Sequence, residues 1–182
     1  MRAHKGFSLI ELMVTLAVFG IMMGIAAPNF NQFLIKIRVD NQISEMQNMI
    51  LSARNTAINS GHTTILCPLD INGVCTDNWG RELSVFTDLD NNGKFNDSDT
   101  LIKIKDAINS NDIALFTGSI ISYSPTGNSN LSNLVQFHYC PESKLRHSRG
   151  IEISRTGRSV ASTYIESAKK ELFRSGDSIR CS

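Results

Sequence analysis

The chain has 182 residues, 18 of them Lys or Arg and 17 Asp or Glu, for a formal net charge of +1. That balance gives no global case for a nucleic-acid binder or for an acidic partner. Hydrophobic residues make up 41% of the chain, but many fall in one N-terminal stretch. The remainder reads as a fairly polar domain, rich in Ser, Asn, Thr and Gly, with enough length for one core.

Met1 to Gly6 is short and basic, with Arg2 and Lys5 charged. Phe7 to Ala27 is an apolar run of about 21 residues, enough for a helix to cross the ~30 Å hydrocarbon core of a bilayer. Positive residues favour the cytoplasmic side, so the N-terminus is expected inside and everything after Pro28 outside. A secretory signal has a shorter apolar region and a small-x-small cleavage site; cleavage after Ala27 is that alternative. Glu11 stands inside the run. A charge there costs at least ~2.5–3.5 kcal/mol on insertion scales, so Glu11 needs a partner that a plain anchor does not.

Residues 6–16, Gly-Phe-Ser-Leu-Ile-Glu-Leu-Met-Val-Thr-Leu, resemble the class III signal of type IV pilins and type II secretion pseudopilins. The resemblance implies cleavage between Gly6 and Phe7 by prepilin peptidase, then N-methylation of Phe7. It also implies that Glu11 pairs with the N-terminal amine of a neighbouring subunit, because an acid in lipid is tolerated when a cation neutralises it. Gly20 and Gly24 are spaced as a G-x-x-x-G, which permits close helix approach.

Pro28 predicts a kink or a break. Beyond it Phe30, Phe33, Leu34, Ile37, Met46, Met49, Ile50, Ala53 and Ala57 fall mostly three or four apart, an amphipathic continuation that stops at Ser60-Gly61. The whole helix is expected to be about 50 residues, roughly 75 Å long. Strands follow at Thr63–Leu66, Leu83–Thr87, Leu101–Ile104, Ile113–Phe116, Ile120–Tyr123, Val135–Tyr139, Ile151–Ser154 and Ser159–Ser162. Thr163 to Phe173 has mixed character and is expected to form a short helix. Trp79 is a core anchor. The fold class is α+β, a long N-terminal helix packed on an antiparallel β-sheet domain. Residues 1–6 are the leader, 7–27 the transmembrane or filament-core helix, 28–60 its amphipathic continuation and 61–182 the β-rich domain.

Cys67, Cys75, Cys140 and Cys181 are an even set, which outside the cytoplasm favours disulfides. Of three pairings, Cys67–Cys75 and Cys140–Cys181 are favoured: the first closes a short loop and the second ties down the C-terminus. A zinc site is the alternative, without a C-x-x-C pair or a Cys/His cluster behind it. The run from Asp88 to Asp99 fits a calcium loop. Asp88, Asp90 and Asn92 take positions 1, 3 and 5, and Gly93 gives the sharp turn. Lys94 offers its carbonyl, Asn96 is ninth, and Asp99 stands at the twelfth where a Glu is usual. A polar hairpin turn is the competing reading. No P-loop, nucleophile elbow, zincin or dinucleotide signature occurs, so no enzyme is expected.

Cys67-Pro68, Trp79-Gly80, Val85-Phe86-Thr87-Asp88, Ile151-Glu152-Ile153-Ser154 and Thr156-Gly157-Arg158, in this order, resemble the GspH/FimT/FimU branch of minor pilins and minor pseudopilins. The resemblance implies a structural subunit that primes or caps a type IV pilus or a type II secretion pseudopilus. It would be made as a single-pass inner-membrane precursor with a periplasmic domain. No cofactor is required; calcium enters only through the Asp88–Asp99 loop. Its implied partners are other pilins or pseudopilins, prepilin peptidase and the inner membrane. DNA is a further candidate partner, since FimT-like pilins carry a Gly-Arg-x-Arg motif and Arg155 and Arg158 lie in the basic C-terminal region. Here Val160 replaces the second arginine.

Overall fold

A computed structural model of the protein describes residues 8–143 and 145–182, with the side chains of residues 25–29 and 143 left out. Gly6 and Phe7, the expected processing site, lie outside the described residues. The chain divides into two compact units, one ending at Ile37 and the other running from Arg38 to Ser182.

Helix α1 spans Leu9–Ser60. Ser8 starts it: its hydroxyl accepts the Glu11 N–H at 3.3 Å and its carbonyl the Leu12 N–H at 3.2 Å, as an N-cap does. The spacing is Ser-x-x-Glu, but only the Ser8 half of a capping box forms, since the Glu11 carboxylate takes no bond back to Ser8. The helix continues through Pro28, so the expected break is absent. It ends where expected, with the Gly61 N–H on the Ala57 carbonyl.

In the first unit Leu9, Ile10, Leu12, Met13, Leu16, Phe19 and Ile21 are exposed, and so are Phe30, Phe33, Leu34 and Ile37. Among the described residues no helix is long and apolar enough to cross a membrane; the expected span of 7–27 begins and ends on residues or side chains that are not described. In the second unit Val39, Ile43, Met46, Met49, Ile50, Ala53 and Ala57 are buried, at steps of three and four. Within the second unit the buried stripe runs from Val39 to Ala57.

Ten strands follow in the described residues: β1 Thr63–Pro68, β2 Leu83–Asp88, β3 Thr100–Lys105, β4 Ile113–Phe116, β5 Ile121–Tyr123, β6 Val135–Cys140, β7 Arg149–Ile153, β8 Ser159–Ala161, β9 Thr163–Ile165 and β10 Lys170–Leu172. They form two four-stranded antiparallel sheets, ordered β3-β2-β1-β5 and β4-β6-β7-β8, and a β9–β10 hairpin. The short helix expected over 163–173 is therefore corrected to this hairpin. Thr163-Tyr164-Ile165 is β-branched and aromatic, and Lys169, at φ 51°, turns the chain back. In the first sheet Ile65, Cys67 and Phe86 alternate with Leu66 and Val85. The former three make one core cluster with Leu69, Cys75, Phe95 and Ile120, and the latter two are buried on the opposite face.

Polar clamps fix the second half of α1 to both sheets. Arg38 reaches Asp112 at 3.1 Å, Asp40 meets Arg149 at 2.7 Å, Glu45 approaches Lys105 at 3.7 Å, and Arg54 Nε donates to the Gly127 carbonyl at 3.0 Å. The Asp112 side chain is fully buried and also accepts the Glu142 N–H at 2.9 Å and the Tyr139 hydroxyl. Burial, with the Asp112 carboxylate beside it, pushes the Tyr139 phenol well above its usual range. Trp79 is buried and donates its indole N–H to the Gly118 carbonyl at 2.6 Å, with Phe116 packed against it at 4.5 Å.

Candidate functional site

Glu11 sits in the first turn of α1, exposed, and its carboxylate has no partner among the described residues. It is the lone acid in an exposed apolar stretch that reaches from Leu9 to Gly24. The N-cap role of Ser8 explains the local helix start but leaves that carboxylate unsatisfied.

The Asp/Asn loop is built by its own side chains. Asp88 ends β2, opposite Thr63 of β1, and is buried. Its two oxygens accept the Asn92 N–H at 3.1 Å and the Gly93 N–H at 3.0 Å. Gly93 has φ 74° and Asn91 φ 57°, the left-handed pair that folds the loop back on itself. Asp99, just before β3, accepts the Leu89 N–H and the Asn96 N–H, each at 2.9 Å. Asp90 Oδ2 is held by the Asn92 amide at 2.7 Å and the Asn96 amide at 3.0 Å.

The result is that oxygens of Asp88, Asp90 and Asp99 come within 4.8 Å of one another. Burial pushes the Asp88 carboxyl up, with the Gly93 and Asn92 N–H groups opposing it, whereas the Asn96 amide holds Asp90 down. Like charges this close repel unless a cation or a proton separates them. The other three expected ligands stand differently. Asn92 and Asn96 turn amide nitrogens, not oxygens, toward Asp90, and Asn92 Oδ1 is taken by the Lys94 N–H at 2.7 Å. Lys94 forms a bridge with Val74.

Cys67 is bonded to Cys75, and Cys140 to Cys181. The second bond lies in a small cluster of Cys140, Phe173 and Ile179, with Ile113 and Cys181 against it. Beside it the Arg180 N–H donates to His138 Nδ1 at 3.2 Å. Arg155 and Arg158 are exposed on the turn between β7 and β8, which the Ser154 N–H closes on the Arg158 carbonyl at 2.9 Å. The structure brings a third arginine to this corner, since a Cβ on Gly157 would stand 3.0 Å from Arg54 Nε.

Residues 42–157, more than half of the chain, match the family described as type II transport protein GspH, and residues 1–27 match the prokaryotic N-terminal methylation motif. The chain belongs to the GspH family. Among solved structures it is similar to the type IV minor pilin FimU of Pseudomonas aeruginosa, with a TM-score of 0.58 and 18% identity over 70% of this chain and 90% of that one. That likeness is one of fold: a long N-terminal helix packed on antiparallel sheets. A fimbrial protein of Pseudomonas aeruginosa is 38% identical over 58 residues, 32% of this chain and 38% of the relative. Fimbrial protein Q of Moraxella bovis is 37% identical over 60 residues, 33% of this chain and 35% of the relative. The chain thus spans little more than a third of the length of these curated relatives.

Within the GspH region, local spacing found the Asp/Asn loop, because all its carboxylates fall within twelve residues. It missed Asp112 and Arg54. Asp112 meets Arg38 across 74 residues and Arg54 meets Gly127 across 73, so neither contact leaves a local signal.

Proposed function

We propose that this GspH-family chain is a minor pilin or minor pseudopilin, a structural and non-catalytic subunit. It primes or caps assembly of a type IV pilus or a type II secretion pseudopilus with other pilin-like chains. One observation carries the reading: a methylation motif opens a helix whose first half exposes apolar residues around the lone carboxylate of Glu11. Prepilin peptidase cuts between Gly6 and Phe7, and the Phe7 amine is then a cation in an apolar setting. Glu11 of the neighbouring subunit neutralises it, since each charge alone is costly there. Before assembly the chain sits in the inner membrane through residues 7–27, with residues 61–182 on the periplasmic side. Glu11→Val is expected to leave the protein in the membrane fraction and remove it from sheared filaments, with Glu11→Asp restoring part of the incorporation. Normal incorporation of Glu11→Val sinks the reading.

The Asp/Asn loop supports a second element of the proposal, a calcium ion held by Asp88, Asp90 and Asp99. The convergence of three carboxylates on one point favours it over a plain polar turn. Asn92 and Asn96 would join as ligands by turning their amides over, and the Lys94 carbonyl would complete the set. Calcium accepts such an irregular oxygen shell, whereas magnesium demands near-octahedral geometry. With a short acid at the twelfth position, affinity is expected at about 10⁻⁴–10⁻³ M. Calorimetry on the full chain in detergent, showing no heat at millimolar calcium, disposes of it. DNA uptake is the rival use of the fold, supported by the exposed Arg155 and Arg158. Binding that weakens steeply with salt and is lost in Arg155→Ala/Arg158→Ala would establish it.

A further inference from the structure

The hairpin closed by the Cys67–Cys75 disulfide leans directly on the Asp/Asn loop. Inside the hairpin the Thr76 N–H donates to the Pro68 carbonyl at 2.8 Å, and the Asp70 carboxylate accepts the Asn72 and Val74 N–H groups, each at 2.8 Å. At its tip the Phe95 N–H donates to the Gly73 carbonyl at 2.8 Å, and Val74 bridges Lys94. The approach is close enough that a Cβ on Gly73, which has φ 72°, would run into the Phe95 carbonyl. Beneath this contact Phe95 meets Phe86 edge-on at 5.3 Å, in the cluster that also holds Cys67, Cys75 and Leu69. The disulfide and the apolar anchor of the loop therefore share one packing unit. Between β2 and β3, the middle of the loop touches the rest of the domain through Lys94 and Phe95, while three carboxylates at its mouth push against one another.

We infer that the Cys67–Cys75 disulfide and the Asp88–Asp99 loop form one conformational unit, so that cleavage of this disulfide by a dithiol releases the loop. A thiolate of the dithiol attacks the sulfur of Cys75, which is partly exposed where Cys67 is buried. The Cys67 sulfur leaves with the electron pair of the old bond and takes up a proton. The second thiol of the reductant then displaces Cys75, which is protonated in turn, and the reductant closes to its own disulfide. Two electrons and two protons pass from the dithiol to the protein. The hairpin, no longer closed covalently, gains freedom and loses its grip on Lys94 and Phe95. Where the loop holds calcium, a step that rests on the reading above, the oxidised protein binds it more tightly than the reduced one.

The test is amide hydrogen exchange over residues 92–96 of the full chain in detergent micelles, without calcium. Cys67→Ala/Cys75→Ala is expected to speed exchange there by on the order of tenfold, with β6 unchanged. Cys140→Ala/Cys181→Ala is expected to leave residues 92–96 as they are. Equal protection in oxidised protein and Cys67→Ala/Cys75→Ala overturns the inference. Because Cys67 is in the core, Gly73→Val with the disulfide intact is the second variant: it must raise exchange at residues 92–96, and an unchanged loop again overturns the coupling. A calcium titration separates the two readings. If the oxidised protein binds calcium and Cys67→Ala/Cys75→Ala binds it equally, the coupling fails. If the oxidised protein binds none, the calcium reading fails and the exchange data alone decide the coupling.

Discussion

The two halves of α1 share one backbone and differ in what surrounds them. From Leu9 to Gly24 apolar residues point in every direction and are exposed. From Val39 to Ala57 they form, Leu51 apart, a stripe that is buried, while Asn41, Ser44, Asn48 and Asn55 face water. A helix apolar on all sides has no inner face for a single domain to cover. The comparison teaches that burial follows the arrangement of apolar residues, not their number.

The widest separation between the halves comes from one substitution made twice. Ile50 is 0% exposed and Ile21 is 67% exposed. Ile50→Lys is expected to destabilise the domain by more than ~4 kcal/mol, as an unpaired buried charge does, and Ile21→Lys to leave its stability within ~0.5 kcal/mol. Urea titration followed by the fluorescence of Trp79, the single tryptophan, reads both. Equal effects would erase the distinction. Next, Cys140→Ala/Cys181→Ala opens a loop with a sequence separation of 41 and is expected to cost about 3–4 kcal/mol in the same titration.

Smaller again is the clamp at Asp112. Asp112→Ala leaves the Tyr139 hydroxyl and the Glu142 N–H without their acceptor. Arg38 is one-third exposed and is rehydrated in part. The expected loss is about 2–3 kcal/mol. A cost below ~1 kcal/mol would mean that the stripe alone fastens the helix.

The smallest effect is a pH dependence. Burial, with Arg180 beside it, holds the His138 imidazole below its usual value. The unfolded chain then binds the extra proton more readily than the folded one. Stability is whole above about pH 6.5 and is lost as pH falls from there toward the folded value. Since His138 Nδ1 accepts the Arg180 N–H, the protection of the Arg180 amide relative to its intrinsic exchange rate is expected to fall at pH 5 relative to pH 7, and His138→Gln to flatten that difference.

Much of this was legible in the sequence where the determinants are local. The helix stop at Gly61, the strands from β1 to β8 and the carboxylates of the Asp/Asn loop all follow from spacing over a dozen residues or fewer. The division into two sheets was not legible. β5 returns to pair with β1 across more than fifty residues, and β4 passes over β5 to pair with β6. Over Thr163 to Phe173 the mixed character suggests a short helix, and Glu166 to Glu171 does contain strong helix formers, but that local preference yields to the pairing of Thr163 with Leu172. Asp112 looks like any surface acid until Arg38, Tyr139 and the Glu142 N–H close around it.

The clamps on α1 also impose an order on folding. Arg149 meets Asp40 across 109 residues, and Asp112 meets Arg38 across 74. Contacts so distant in the chain are slow to form, and a chain made N-terminus first presents Arg38 and Asp40 long before Asp112 and Arg149 exist to meet them. The N-terminal apolar segment is thus available to its surroundings well before the domain can close. A nascent chain stopped short of Arg149 carries Asp40 without the ion-pair partner that the finished domain gives it.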